Sequence, residues 1–269
     1  MIDTHCHIIP NIDDGSRDEQ SSLRQLMEMD SGGISHAYLT SHYFKGHYEY
    51  SREEYLAKLE SLQRAVTAAG AKIKLLPGFE IFLQPNILQD VQAKNLCLGD
   101  SKYILIESEL NGLPPDFHIN VYPLLRAGYR PILAHAERYV SIMKHPLEAQ
   151  SLVERNLYLQ VNSGSLLGQY GEKVKETAWL LIKYGWAHVL GSDDHTRGPY
   201  QSYFDALDAI EAEIDAHTVK LLTETHPAMI LEDKIIPYRY VYVDFPSHLS
   251  RHKRPHKSRS RWHKLFGKR

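Results

Sequence analysis

A chain of 269 residues can bury one sizeable core, and its 43% of hydrophobic and 24% of charged residues are ordinary for a globular protein. No run approaches the ~18 apolar residues that a membrane span requires, and the opening Met-Ile-Asp-Thr-His lacks the basic and apolar parts of a secretory signal. Two cysteines, Cys6 and Cys97, are too few for a disulfide framework. We therefore expect a cytoplasmic protein.

The charge is unevenly distributed along the chain. The formal net charge is −2, but the segment from Ser247 to the end holds nine Lys or Arg and no acidic residue. Subtracting those nine charges from −2 leaves −11 for residues 1–246. We expect residues 1–246 to form the folded domain and residues 247–269 to be a basic, disordered tail, because the tail is too polar to join a core.

The first 246 residues alternate short apolar runs with longer amphipathic patterns. The runs predict seven strands: Met1–Cys6, Ser35–Thr40, Lys72–Leu76, Tyr103–Glu107, Pro131–Ala134, Leu157–Asn162 and Ala187–Leu190. Capping boxes that begin at Ser16 and Ser51 predict helices after the first two strands. Successive strands are roughly 25–35 residues apart, a period that predicts βα units and a parallel sheet. A (β/α)7 barrel fits this pattern better than a doubly wound open sheet, which stays the alternative.

Six of the seven predicted strands end in, or are followed by, a residue that can bind a metal ion. These residues are His5, His7, His42, Glu80, Glu107, His135, Asp193 and His195. The carboxyl ends of the strands meet at one rim, where barrel enzymes have their active sites. So many desolvated carboxylates and imidazoles would be costly at one rim without cations between them. The pattern therefore predicts a metal centre.

The ligand types narrow the choice of metal. Imidazole and carboxylate without thiolate suit manganese, iron or zinc, and they argue against an iron–sulfur cluster or a structural cysteine–zinc site. Cys6 lies between His5 and His7 in the sequence. Strand alternation therefore turns its side chain away from theirs, and we expect it in the barrel wall.

Several motifs in the chain resemble a known family. The start, Met1-Ile2-Asp3-Thr4-His5-Cys6-His7 followed by Asp13-Asp14-Gly15, is similar to the polymerase-and-histidinol-phosphatase (PHP) superfamily. Three further motifs resemble the bacterial protein-tyrosine phosphatases of capsule and exopolysaccharide operons: Ala134-His135-Ala136-Glu137-Arg138-Tyr139, Gln160-Val161-Asn162-Ser163 and Gly191-Ser192-Asp193-Asp194-His195. The likeness extends from Met1 to about Asp233.

The resemblance implies a distorted seven-stranded TIM-like (β/α) barrel of the PHP type that holds three divalent metal ions, often Mn2+. Carried over residue by residue, the ligands of the first metal would be His5, His7, Glu80 and Asp193. The second metal would be bound by Glu80 as a bridge, Glu107 and His135, and the third by Asp14, His42 and His195. Arg138 matches the family's phosphate-binding arginine, and Arg197 lies near a second arginine position. Either His42 or His195 would assist the leaving group.

The resemblance also implies the reaction, which is the hydrolysis of phosphotyrosine on a membrane-associated bacterial tyrosine kinase that regulates polysaccharide export. Tyrosine phosphatases that depend on cysteine need an Arg six positions after it, where this chain has Ile12 and Tyr103. A thiol mechanism is therefore excluded. Histidinol-phosphate or another small-molecule phosphatase is the alternative. A metal-dependent nuclease or a non-catalytic binding module is a third possibility, although the acidic body makes nucleic acid an unexpected partner.

The basic tail admits a second interpretation besides disorder. It ends in Trp262-His263-Lys264-Leu265-Phe266 and three more residues, and its nine basic side chains suit contact with an anionic membrane surface. Such contact would place the enzyme at the inner face of the membrane, near a membrane-associated kinase.

Overall fold

Seven parallel strands form the centre of the computed structural model, which describes residues 1–48 and 50–241. They are β1 Ile2–Cys6, β2 His36–Tyr43, β3 Lys74–Phe82, β4 Tyr103–Glu107, β5 Arg130–Leu133, β6 Tyr158–Asn162 and β7 Val189–Gly191. Each strand pairs with the next in chain order. The sheet closes on itself because His7 N donates to Asp194 O at 2.7 Å and Asp193 N donates to His5 O at 2.8 Å. The predicted barrel is confirmed, and the open sheet is excluded.

Helices follow the strands and cover the outside of the barrel. They are α1 Glu19–Ser31, α2 Arg52–Ala68, α3 Ile87–Lys94, α4 Phe117–Arg126, α5 Val140–Lys144, α6 Leu147–Glu154, α7 Ser163–Leu166, α8 Glu172–Lys183, α9 Gln201–Glu213, α10 Ala216–Lys220 and α11 His226–Leu231. A 3-10 turn spans Ala136–Arg138, and a π-helical turn spans Leu221–Thr225. None of the helices within residues 1–48 and 50–241 is long and apolar enough to cross a bilayer.

The two predicted capping boxes have different outcomes. The side chain of Ser51 accepts a hydrogen bond from Glu54 N and caps α2, as predicted. The prediction for α1 was wrong by two residues, because Asp18 caps this helix through Ser21 N. The hydroxyl of Ser16 instead donates to Asp18 O, so this serine holds the loop that precedes the helix.

Two hydrophobic clusters alternate along the strands. One fills the inside of the barrel with Ile2, Tyr38, Leu105, Ile132, Tyr158 and Val189 among others. The other lies between the strands and the helices and includes Cys6, which is fully buried there as expected. On β2, β3 and β4 the inward-facing positions continue to the carboxyl ends, where they become His42, Glu80 and Glu107. Strand alternation therefore directs these three side chains into the mouth of the barrel.

Two strands are longer than the sequence indicates. β2 extends through Tyr43 and β3 through Phe82, so His42 and Glu80 lie inside strands and not in the loops after them. Pro77 and Gly78 suggested that β3 had ended. The strand nevertheless stays in register with β2 as far as Ile81, and Gly78 N donates to Tyr55 Oη at 3.0 Å. Glycine suits this position because a Cβ there would lie 2.9 Å from Leu98 Cδ2.

The segment after α11 closes the end of the barrel that lies opposite these site residues. Ile236 joins the interior cluster, and its carbonyl accepts a hydrogen bond from Tyr158 Oη at 3.0 Å. Tyr103 Oη accepts from Ile236 N at 2.9 Å and donates to Lys234 O at 2.8 Å. The predicted domain boundary at residue 246 and the predicted tail, residues 247–269, lie outside the described residues.

Candidate metal centre

The innermost group of ligand-type atoms consists of His5, His7, Glu80 and Asp193, all of which are buried. Both imidazole Nε2 atoms lie 3.2 Å from Glu80 Oε2. They lie 3.4 and 3.5 Å from Asp193 Oδ1. One ligand atom from each residue lies within 4.8 Å of all the others, so the four residues can surround a single ion.

A second group surrounds the other side of the Glu80 carboxylate. His135 Nε2 lies 2.8 Å from Glu80 Oε1, while Glu80 Oε2 faces the histidines of β1. Glu107 contributes Oε2 at 3.8 Å from His135 Nε2 and Oε1 at 3.0 Å from His42 Nδ1. Glu80 thus lies between two groups, where a bridging carboxylate was predicted. The ligand atoms close enough together to surround one ion here belong to His42, Glu80 and Glu107, and His135 lies beside them. The sequence did not indicate that His42 belongs to this group.

The third group lies nearer the surface. Asp14 Oδ1 is 3.4 Å from His42 Nε2 and 3.3 Å from His195 Nε2. The rings of His7 and His195 stack at 4.2 Å, so His7 also belongs to this group. The structure therefore brings together all nine residues that were predicted as ligands.

Backbone geometry directs the side chain of His135 inward. Ala134 belongs to the interior cluster, so an extended backbone would turn the next residue, His135, to the outside. His135 instead has φ 36°, and Asp193 has φ 53°. Left-handed backbone is uncommon for residues other than glycine and often occurs at functional sites. At His135 it turns the side chain back into the mouth of the barrel.

Three side chains that the sequence analysis did not assign support the ligands from behind. Asp13 Oδ2 accepts from His7 Nδ1 at 2.9 Å, and Gln160 Oε1 accepts from His5 Nδ1 at 2.9 Å. Asn162 Nδ2 donates to Asp193 Oδ2 at 2.7 Å. Gln160 and Asn162 face inward from β6, the strand that supplies no ligand-type residue. The motif around them was noted, but an amide carries no signal of its own in a sequence.

These hydrogen bonds also fix the tautomers of His5 and His7. Because each Nδ1 donates its hydrogen to an oxygen, each Nε2 has a lone pair whenever its ring is neutral. The two Nε2 atoms lie only 3.0 Å apart and face the same carboxylates. Two lone pairs repel each other at this distance unless a proton or a cation lies between them. The donor set therefore fits a divalent cation of the type that imidazole and carboxylate bind.

The pKa values of the centre describe the same charge balance. Burial favours the neutral form of Glu80, but the charge of His5 and hydrogen bonds from the surrounding histidines hold its pKa well below its usual range. Burial alone would lower the pKa of His7, yet its hydrogen bond to Asp13 raises that pKa to about 10. For His42, Asp14 and Glu107 outweigh burial and raise the pKa to about 12. Cations would displace these protons.

The two predicted arginines are placed differently. The Arg138 side chain is 24% exposed, and its Nη1 donates to Asp193 Oδ2 at 3.2 Å, so the guanidinium lies against the metal centre. The Arg197 side chain is 68% exposed, and its Nη2 donates to Asp14 Oδ2 at 3.1 Å. Arg197 therefore lies at the outer edge, on the side of the third group.

A comparison with known proteins places the chain in a family. The family model for capsular polysaccharide synthesis, CpsB/CapC, matches residues 1–232. The chain belongs to the CpsB/CapC family. The tyrosine-protein phosphatase YwqE of Bacillus subtilis is 31% identical over 239 residues, which cover 87% of this chain and 93% of YwqE. The tyrosine-protein phosphatase CpsB of Streptococcus pneumoniae is 28% identical, with 88% of this chain and 100% of CpsB covered.

The similarity to the CpsB/CapC family extends to three dimensions. A solved structure from crystallographic work on YwqE and CpsB, described as unique metal-dependent tyrosine phosphatases, superimposes with a TM-score of 0.81 and 31% identity. The superposition covers 88% of this chain and 96% of the other. The predicted family and the predicted class of enzyme, metal-dependent tyrosine phosphatases, are confirmed by these relatives.

Proposed function

We propose that this protein is a metal-dependent protein-tyrosine phosphatase that removes phosphate from a bacterial tyrosine kinase and thereby regulates capsule or exopolysaccharide synthesis. The observation that supports this most is the convergence of His5, His7, Glu80 and Asp193 on one ion-sized space at the mouth of the barrel. The family's named relatives supply the substrate class, since they are tyrosine-protein phosphatases.

We assign three divalent cations to the centre, with manganese as the first choice and iron or zinc as the others. The first would be bound by His5, His7, Glu80 and Asp193, the second by Glu80, Glu107 and His135, and the third by Asp14, His42 and His195. When bound, such ions supply Lewis acidity, which lowers the pKa of water and neutralises phosphoryl oxygens. Donors of the oxygen and imidazole type suit all three metals.

Arg138 has the principal role among the residues that are not ligands. One of its five N–H donors contacts Asp193, so others are left to hold phosphoryl oxygens as negative charge develops on them. Arg197 is the weaker candidate, because it is held at the exposed edge by Asp14. His42 or His195 would assist proton transfer to the leaving phenolate only through an intervening water, and the phenolate needs little assistance.

The cellular place of the enzyme is part of the same proposal. A kinase that controls polysaccharide export acts at the membrane, so we place the phosphatase in the cytoplasm, at times at the inner face of the membrane. The basic residues 247–269 would favour an anionic lipid surface by on the order of 1 kcal/mol each.

The deciding experiment measures phosphate release by the purified chain from a phosphotyrosine peptide, a phosphoserine peptide and histidinol phosphate, with and without manganese. We expect release from the phosphotyrosine peptide alone, abolished by a chelator. His135→Ala should lower kcat/KM by more than about 100-fold, because it removes a ligand next to Glu80. His118→Ala, at an exposed position in α4, is the matched control and should retain wild-type activity.

Other outcomes would redirect the proposal. Preference for histidinol phosphate would keep the metal centre but make the protein a small-molecule phosphatase. Metal binding without hydrolysis of any of the three substrates would contradict the proposal and favour a nuclease or a non-catalytic binding module.

A further inference from the structure

Two tyrosines lie at the rim of the metal centre, each in contact with a residue of that centre. The ring of Tyr170 lies over the guanidinium of Arg138, with 4.5 Å between Arg138 Cζ and the ring centroid. Tyr170 is nevertheless 41% exposed. The ring of Tyr48 is nearly parallel to that of His42, at 10°, with centroids 5.3 Å apart. These tyrosines come from different loops, one after β2 and the other after α7.

The metal centre itself recognises only phosphate. Its ligands and Arg138 are charged or polar groups, and the phosphoryl group is the same in phosphotyrosine, phosphoserine and histidinol phosphate. Discrimination among these esters requires a contact with the part of the substrate beyond the ester oxygen. Tyr139 also stacks on a residue of the centre, His135, but Tyr139 is fully buried and cannot reach a ligand.

We propose that Tyr170, assisted by Tyr48, binds the phenyl ring of the substrate and makes the site selective for aryl phosphates. This inference rests on the proposed function, because it takes Arg138 as the residue that holds phosphate. A phenyl ring joined to that phosphate by one oxygen would lie near the guanidinium that the ring of Tyr170 covers. Aromatic rings attract each other in offset or edge-to-face arrangements with centroids about 4.5–7 Å apart.

A simpler role for Tyr170 makes a different prediction. If this ring served only to orient Arg138, its removal would lower the affinity for every phosphate-like ligand to the same extent. A ring-binding role predicts a loss only for ligands that carry an aryl group. Phenylphosphonate and methylphosphonate separate the two roles, since both present a phosphonate that cannot be hydrolysed and only the first has a ring.

The experiment is calorimetric titration of both phosphonates into the manganese-loaded full chain. We expect the wild type to prefer phenylphosphonate. Tyr170→Leu should lower the affinity for phenylphosphonate by roughly three- to tenfold and should leave the affinity for methylphosphonate within about twofold of the wild-type value. Tyr170→Phe should bind both as the wild type does, because the ring and not the hydroxyl makes the contact. Tyr48→Leu should show the same selectivity with a smaller loss.

Tyr122→Leu is the matched control, because Tyr122 is a 60% exposed tyrosine in α4 whose ring also lies over an arginine, Arg126 at 6.0 Å. It should change neither affinity. Equal weakening of both phosphonates in Tyr170→Leu, or a wild type without preference for the aryl ligand, would overturn the inference. Aryl preference that depends on Tyr170 in a protein that does not hydrolyse phosphotyrosine would instead overturn the proposed function and leave the ring site standing.

Discussion

Gln160 connects several parts of the metal centre through one buried side chain. Its Oε1 accepts from His5 Nδ1 and from His135 N, and its Nε2 donates to Asn162 Oδ1 at 2.7 Å. Asn162 in turn holds Asp193. One buried amide therefore sets the tautomer of one ligand, the backbone position of a second and, through Asn162, the orientation of a third. Partners of this kind tune the affinity of metal sites.

Gln160→Ala should weaken manganese binding by about 10- to 100-fold, because His5 would lose the acceptor that keeps its Nε2 free for the metal. Titration of the apoprotein against a chelator of known affinity would measure the change. Gln63→Ala is the matched control, since Gln63 also bonds to backbone, at Leu75 N and Ile73 O, but lies on α2 away from the centre. Equal affinities for the wild type and Gln160→Ala would show that the amide has no part in metal binding.

The difference between ligands and their supports explains what could be predicted at the scale of residues. His5, Glu80 and Asp193 were found because His, Glu and Asp recur at successive strand ends, where chance placement is improbable. Gln160 and Asn162 were not assigned, because amides are common on loops and strands and their role depends on what they face. Only the closed barrel shows that β6 faces His5 and Asp193.

At the scale of elements, the metal centre depends on how closely β7 approaches β1 and β6. A Cβ at Gly191 would lie 2.7 Å from His5 Cβ and 2.6 Å from Gln160 Nε2. Real Cβ contacts are essentially never this short, so any side chain here would separate the strands. The glycine therefore brings Asp193, two residues later, into reach of the histidines of β1.

Gly191→Ala should destabilise the protein by about 1–3 kcal/mol and also weaken manganese binding, because overpacking would shift β7 relative to β1. Urea denaturation of the apoprotein would give the first effect and calorimetric titration the second. Gly198→Ala, on the loop before α9 with open space around its Cβ position, should change neither. A stable Gly191→Ala protein with normal metal affinity would contradict this account of the strand contact.

Predictions for whole elements were better for position than for extent. All seven strands lie near their predicted places, because apolar runs and their spacing determine a βα order. The ends of β2 and β3 were missed, because tertiary contacts extend these strands. Pro77 and Gly78 predicted that β3 ends before them, but the Gly78 N–H finds a hydrogen-bond partner in Tyr55 Oη. The start of α1 was missed because Ser16 and Asp18 are equally good caps in sequence.

At the scale of the whole molecule, the barrel has a polar metal centre at one end and a buried histidine near the other. His188, just before β7, is fully buried; its Nδ1 accepts from Leu159 N at 3.1 Å and its Nε2 donates to Tyr238 O at 3.3 Å. Both nitrogens are thus satisfied only in the neutral ring. Burial, with the nearby His226, lowers the pKa of His188 to about 3.

This histidine should make the fold sensitive to acid. Between pH 6.5, the ordinary pKa of histidine, and about 3, the unfolded chain binds a proton at His188 that the folded chain does not. The contribution of His188 to the free energy of unfolding is therefore fully present above pH 6.5, and it falls as the pH is lowered from 6.5 towards 3. Between pH 7 and pH 5 the loss should be about 2 kcal/mol.

Urea denaturation of the metal-free protein at pH 7 and pH 5 tests this expectation, with His188→Gln as the variant. The substitution keeps a side-chain oxygen that can accept from Leu159 N but does not titrate. His188→Gln should be less stable than the wild type at pH 7, yet lose about 2 kcal/mol less on going to pH 5. His217→Gln, at an exposed position in α10, should lose as much as the wild type. The same acid loss in His188→Gln as in the wild type would assign the sensitivity to another group, such as His226, whose pKa burial also lowers. His7 and His42 cannot be its source, because their raised pKa values act in the opposite direction.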